Sequence, residues 1–187
     1  MKVLANDGIS KSGIDKLVKN NFDVLTITVE QGQLVDYINK NKITVLLVRS
    51  ATKVRKDIID SCPSLKIIGR GGVGMDNIDV DYAKEKGLKV INTPAASSSS
   101  VAELVIAHLY SCVRFLHISN RNMPLDGDTN FKKLKKAFAK GIELRGKTLG
   151  IIGFGRIGQE VAKVAIGIGM NVIYFDLHNN KVLLKLE

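Results

Sequence analysis

Lys147-Thr148-Leu149-Gly150-Ile151-Ile152-Gly153-Phe154-Gly155-Arg156-Ile157-Gly158 is the stretch from which the rest of the chain is read. A short apolar run, read as a strand, leads into glycines at 153, 155 and 158, and apolar residues at helical spacing follow. Gly153 permits the tight turn out of a strand, Gly155 lets a pyrophosphate approach the backbone, and Gly158 lets the next helix pack closely on the sheet. The positive end of that helix then points at the phosphates. A second apolar run, Met170-Asn171-Val172-Ile173-Tyr174-Phe175, ends at Asp176, 18 residues after Gly158. A carboxylate at that distance meets the ribose hydroxyls of the adenosine half of a dinucleotide. The chain ends soon afterwards, at Glu187.

Upstream, short apolar runs alternate with amphipathic ones. Strands are expected at 2–6, 22–28, 44–48, 65–68 and 88–92. Between them the spacing predicts four helices. The first is capped by Ser10 with Ile14, Leu17 and Val18 inward, and the second turns Leu34, Tyr37 and Ile38 inward. Val54, Ile58 and Ile59 mark the third, stopped by Pro63, and the fourth covers 80–86 before Gly87. Alternation of this kind implies right-handed crossovers and a parallel sheet. Residues 1–93 thus contain a complete flavodoxin-like domain of α/β class, and the glycine stretch begins a second, Rossmann-type sheet.

Ligands of such sheets gather beyond the carboxyl ends of the strands. Three loops meet that condition: Arg49-Ser50-Ala51-Thr52, then Gly69-Arg70-Gly71-Gly72-Val73-Gly74-Met75-Asp76-Asn77, then Asn92-Thr93-Pro94-Ala95-Ala96-Ser97. Arg49 ends an otherwise apolar strand, where its guanidinium suits a carboxylate or phosphate, or pairs with Asp76 or Asp57. The glycines at 69, 71, 72 and 74 offer exposed amides as an anion nest, or serve as a plain flexible turn.

Beyond the third loop, Ser98, Ser99 and Ser100 offer caps for a long helix with Glu103 in its first turn. Its expected inward positions are Val101, Leu104, Val105, Ala107, Leu109, Val113 and Leu116. His108 and His117 lie along it without a metal or catalytic spacing, so they read as satisfied structural histidines, and no metal site is expected. Turn-forming residues fill 122–130, and a lysine-rich helix with Leu134, Ala137 and Phe138 inward follows.

Composition narrows the function classes. The chain is 45% hydrophobic and 25% charged, as expected for a soluble globular protein. No apolar run reaches the roughly 18 residues of a transmembrane helix, and the N-terminus does not resemble a signal peptide. Cys62 and Cys112 read as reduced core residues, which fits a cytoplasmic protein. The net charge of +10 favours anionic ligands, but the lysine run lacks the interleaved aromatics of a nucleic-acid surface. Neither nucleic acid nor membrane is expected as a partner.

In order and interval, the blocks 49–54, 69–79, 92–94, 102–104 and 143–158 resemble those of the D-isomer-specific 2-hydroxyacid dehydrogenases, and most of all the phosphoglycerate dehydrogenases among them. The resemblance covers the chain from its start to Asp176. It implies a substrate-binding domain over 1–96 and an incomplete nucleotide-binding domain over 97–187, carrying a dimer surface on the long helix. It implies substrate contacts at Arg49, Ser50, Gly72, Val73, Gly74 and Ser97, with Val73 also beside the nicotinamide. Ser97 stands where the family usually carries an asparagine, so one donor replaces two. Arg156 and Ile157 would present amides to the pyrophosphate beside Gly153, Gly155 and Gly158. Asp176 would favour NAD by repelling the 2′-phosphate of NADP.

The implied activity is hydride transfer between a D-2-hydroxy acid, or its 2-oxo acid, and NAD. The family's catalytic arginine, glutamate and histidine have no match in this chain, which is therefore expected to be a truncated subunit, inactive alone. The C-terminal-binding-protein corepressors share this pattern, so an NAD-responsive binding module is the alternative. A two-stranded remnant of the second sheet would expose apolar surface, with Val182, Leu183, Leu184 and Leu186 available to form a covering helix.

Overall fold

The structure, a computed structural model, describes residues 1–177. The suggested helix through Val182, Leu183, Leu184 and Leu186 therefore lies outside the described residues. The chain divides into two compact units, Met1–Ala96 and Ser97–Glu187.

The first unit runs β1 (Lys2–Ala5), α1 (Lys11–Lys19), β2 (Asp23–Leu25), α2 (Leu34–Asn41), β3 (Val45–Val48), α3 (Lys56–Ser61), β4 (Ile67–Arg70), α4 (Val80–Glu85) and β5 (Lys89–Asn92). All strand pairs are parallel and the order is β2-β1-β3-β4-β5, so the flavodoxin-like expectation holds. The chain leaves β1 for the edge, returns past it to β3, and so makes a switch point between β1 and β3. Leu4, Leu46 and Ile68 on the central strands are fully buried, together with Leu34, Ile38 and Ile58 from α2 and α3. Cys62 lies in the same core, where burial first, and the nearby Asp57 charge second, push its thiol up to about 11.

Several local expectations shift. β2 covers only 23–25 because the chain beyond it pairs with a side chain instead of a strand. Val29 donates its amide to Asn6 Oδ1 at 2.8 Å, and Asn6 Nδ2 returns a bond to the Val29 carbonyl. β4 starts two residues later than expected, because Leu65 closes a turn onto the Cys62 carbonyl, and Arg70 thereby becomes its last residue. Val54 lies outside α3 and forms an isolated bridge with Ile78. Val18 is exposed, since α1 rests against β2 at the sheet edge along Ile14 and Leu17 alone.

The second unit runs α5 (Ser98–Val113), α6 (Leu116–Phe138), β6 (Thr148–Ile152), α7 (Arg156–Gly167) and β7 (Asn171–Phe175), with β6 and β7 parallel. Ile106, Ala162, Ala165, Met170 and Val172 form its core, and the small side chains of α7 let α5 approach closely. The inward face of α5 is Ala102, Ile106, Leu109 and Val113. Leu104, Val105, Ala107 and Leu116 face outward, contrary to the sequence reading. Apolar residues lie on more than one side of this helix, with Glu103 its only charged residue, and packing against α7 decides which face is buried.

Ser97 occupies the N-cap of α5 without a side-chain cap bond, and Ser98–Ser100 already lie inside the helix, leaving Glu103 in the second turn. The left-handed Phe115 (φ 56°) separates α5 from α6. The turn expected over 122–130 is helical, Pro124 included, and only Asn130 leaves helical geometry, at φ −114° and ψ 17°. Leu134 and Phe138 are half-buried, while Ala137 is exposed. Cys112, His108 and His117 are exposed too, and neither histidine enters a hydrogen bond or ion pair among the described residues. No single described helix is long and apolar enough to cross a membrane.

Candidate functional site

The first candidate region is the rim of the five-stranded sheet. A cavity of about 930 Å³ opens there, bordered by Arg49 after β3, by Arg70 and Gly71 at the end of β4, and by Asn92 and Thr93 at the end of β5. Its floor is Leu47, Gly69 and Ile91, side by side across three strands, and Lys16 of α1 stands at its edge. A Cβ at Gly69 would come within 2.7 Å of Leu47 Cδ2, the end of a flexible side chain that would have to turn aside.

The loop carrying Arg49 and Ser50 is tied down by residues the sequence reading did not single out. Asp7, directly beyond β1, accepts from the Arg49 amide at 2.6 Å, the Thr52 amide at 3.1 Å and Thr52 Oγ1 at 2.5 Å. Partial burial pushes the Asp7 carboxyl up, but these bonds and the Ala51 amide outweigh it and hold the group below the ordinary aspartate range. The buried Asn77 donates to the carbonyls of Arg49 and Thr52 and accepts from Arg70 Nε at 3.0 Å. Neither Arg49 nor Arg70 forms an ion pair among the described residues, so the alternatives Asp76 and Asp57 for Arg49 are not realised.

The glycine loop after β4 is anchored through its carbonyls. Asn92 Nδ2 donates to the Val73 carbonyl at 2.6 Å, and the Thr93 amide donates to the Gly72 carbonyl at 3.1 Å. The amides of Val73 and Gly74 have no acceptor among the described residues, which leaves them for a ligand. A Cβ at Gly72 would strike the Arg70 guanidinium. Ser97 belongs to the second unit, at the start of α5.

The second region is the turn between β6 and α7. Gly153 has φ +91°, which only glycine adopts without strain, and Gly155 is the extended N-cap of α7. A Cβ on Gly158 would collide with the Gly153 carbonyl oxygen, so this glycine is needed by the turn itself as well as by helix packing. A Cβ on Gly155 would meet no protein atom within 4 Å, so the space over it is open to a ligand. The amides of Arg156, Ile157 and Gly158, in the first turn of α7, bond to no protein acceptor among the described residues. Asp176 Oδ2 accepts from the Phe154 amide at 2.6 Å, tying the end of β7 to the turn, and the Phe154 ring stacks on Tyr174 at 3.9 Å. Open amides at a helix N-terminus, a glycine without a Cβ and a carboxylate beside them fit a dinucleotide.

The family model for the D-isomer specific 2-hydroxyacid dehydrogenase catalytic domain matches residues 3–174. This chain belongs to that family. A hydroxypyruvate reductase of Thermotoga maritima is 47% identical over 94% of this chain and 55% of its own length. A D-3-phosphoglycerate dehydrogenase of Methanocaldococcus jannaschii is 42% identical over 94% of this chain and 32% of its own length. A solved acyclic imino acid reductase, in complex with NADPH and D-Arg, superposes with a TM-score of 0.74 at 27% identity, over 97% of this chain and 58% of that one. The chain thus spans about half or less of the length of these relatives. D-2-hydroxyacid dehydrogenases act on small 2-hydroxy or 2-oxo acids, and a nicotinamide dinucleotide is the cofactor that the glycine turn of this member suits.

The sequence made Arg49 and the glycines conspicuous. Asp7 was signalled only by its place after an apolar run, and Arg70 and Asn77 only as members of the loop 69–77. The role of Asn77 was not legible, because it depends on two loops that are distant in sequence.

Proposed function

We propose that this chain forms the cofactor cradle and the substrate rim of an NAD-dependent dehydrogenase acting on a D-2-hydroxy acid or its 2-oxo acid. D-3-phosphoglycerate is the substrate that suits it best, which places the reaction in serine biosynthesis, and the setting is cytoplasmic. The observation that carries this reading is the meeting of Arg49 and Arg70 on one cavity, neither of them in an ion pair among the described residues, with Asp7 also on its lining. With Lys16, the two guanidinium forks outnumber that one carboxylate, and a second anionic group on the acid would use the surplus charge.

The residues divide the work. The amides of Val73 and Gly74, with Gly72 and Ser50, would hold the carboxylate end of the acid. Arg49 and Arg70 would hold the phosphate end. Arg156 and Ile157 would present their amides to the pyrophosphate, and Asp176 would accept from the adenosine ribose and disfavour a 2′-phosphate. Bound NAD would supply the hydride acceptor, and the protein contributes alignment and charge. The exposed Leu104 and Val105 of α5 support a homodimer formed through the second unit.

Calorimetric titration tests the reading. The chain is expected to bind NAD in preference to NADP, to bind D-3-phosphoglycerate in preference to hydroxypyruvate, and to show no turnover by itself. Hydroxypyruvate binding at least as tightly would move the substrate to an unphosphorylated acid. A chain that binds neither dinucleotide would sink the proposal.

A further inference from the structure

Asn77 is one of the few buried polar residues of the first unit, and its side chain bonds the loop of Arg49 and the Arg70 side chain. Its Nδ2 donates to the Arg49 carbonyl at 2.8 Å and to the Thr52 carbonyl at 2.7 Å. Its Oδ1 accepts from Arg70 Nε at 3.0 Å. The partners fix the amide orientation, because a flipped carboxamide would turn its oxygen toward two carbonyls and its NH₂ toward a guanidinium. Asp7 grips the same two loop residues from their other side, through the amides of Arg49 and Thr52. Residues 49 and 52 therefore have both backbone groups held, N–H by a carboxylate and C=O by a carboxamide. Asn77 alone extends the grip to a second cation.

We propose that Asn77 is a positioning residue that clamps the Arg70 side chain to the backbone of the loop that carries Arg49, so that both cations are presented to the same phosphorylated acid. The proposal rests on the reading of this rim as the substrate site. Asn77 does not border the cavity and so acts only through the two arginines. Without the clamp, the Arg70 side chain and the backbone that carries Arg49 would have to be ordered at the moment of binding, and the entropy lost would weaken it.

The test is NMR titration of the isotope-labelled chain with inorganic phosphate and, separately, with D-3-phosphoglycerate. It follows the Nε–H signals of Arg49 and Arg70 and the carboxamide of Asn77. In the unmodified chain the buried carboxamide is expected to shift with both arginines on one binding curve. Asn77→Ser is expected to weaken phosphate binding about tenfold and to release Arg70 Nε–H to rapid exchange with water. Asn77→Asp should keep Arg70 Nε–H protected and still lose affinity, since a carboxylate cannot donate to the carbonyls of Arg49 and Thr52.

Arginine signals that move while the Asn77 carboxamide stays still would overturn the clamp, and this arm needs no variant to fold. Equal binding of D-3-phosphoglycerate by the chain and by Asn77→Ser would also overturn it, while leaving the substrate reading intact. Asn77-dependent binding of phosphate without any binding of D-3-phosphoglycerate would support the clamp and overturn the substrate reading. Arginine signals unmoved by either ligand would overturn both.

Discussion

The turn after β6 and the loop after β4 are both rich in glycine and both leave amides open, yet they are held in different ways. In the turn, backbone geometry does the holding. Gly153 takes a positive φ, Gly155 caps α7, and Gly158 lies against the Gly153 carbonyl. In the loop, Gly71, Gly72 and Gly74 all have ordinary φ, and the shape is kept by side chains, chiefly Asn77 and Asn92. A site made by the backbone should therefore be intolerant of change at its glycines. A site made by side chains should be intolerant at its asparagines and forgiving at its glycines.

The largest expected effect is at Gly158. Its alanine variant drives a methyl group into backbone, which cannot swing aside as a side chain can. A stability loss of about 3 kcal/mol is expected in the second unit, with NAD binding abolished, as followed by thermal unfolding and calorimetry. Normal NAD binding by Gly158→Ala would break the contrast between the two regions.

Asp176→Asn sharpens the contrast from the other side. The asparagine can still accept from the Phe154 amide, so the turn should persist. The charge that disfavours a 2′-phosphate is gone, and the ratio of NAD to NADP affinity should fall about tenfold in parallel titrations. An unchanged ratio would mean that Asp176 serves only to tie the turn.

The side-chain-built region should also respond to pH through Asp7. Its folded pKa is depressed, so its contribution to stability is complete at neutral pH and is lost as pH falls through the lowered value. Urea midpoints measured from about pH 6 down to about pH 3 should drop less steeply in Asp7→Asn than in the unmodified chain. Parallel slopes would remove Asp7 from the account.

The smallest effect is expected at Gly72→Ala. The new methyl would meet only the end of the flexible Arg70 side chain, and a cost below about 1 kcal/mol follows. Phosphate affinity should fall more than stability does, because the displaced group is a rim cation.

Legibility in the sequence followed the range of the interactions. Strands and helices of the first unit came from period and punctuation, which are local, and errors arose where a distant partner intervened. β2 stops at Leu25 because Asn6, directly after β1, takes the bonds that a longer ladder would have used. α6 runs through residues that favour turns, and the break they signal narrows to Asn130. The outward surface of the second sheet was anticipated from two apolar strands in sequence. The alternation that leaves Ile152 at 90% exposure while Tyr174 is buried required the position of α7.

By itself, the sequence determined the α/β alternation, the division near residue 96, the glycine turn with its acidic partner and the cation at the end of β3. Each of these is carried by neighbours in the chain or by a fixed spacing. Tertiary structure alone decided which face of α5 is buried, that Arg70 shares a cavity with Arg49, and that Asp7 and Asn77 hold the loop between them. These depend on strand order, which brings residues 7, 49, 70 and 77 together at the carboxyl ends of the inner strands. Hydrogen bonds between loops that far apart leave no periodic trace in the chain, so only the folded geometry reveals them.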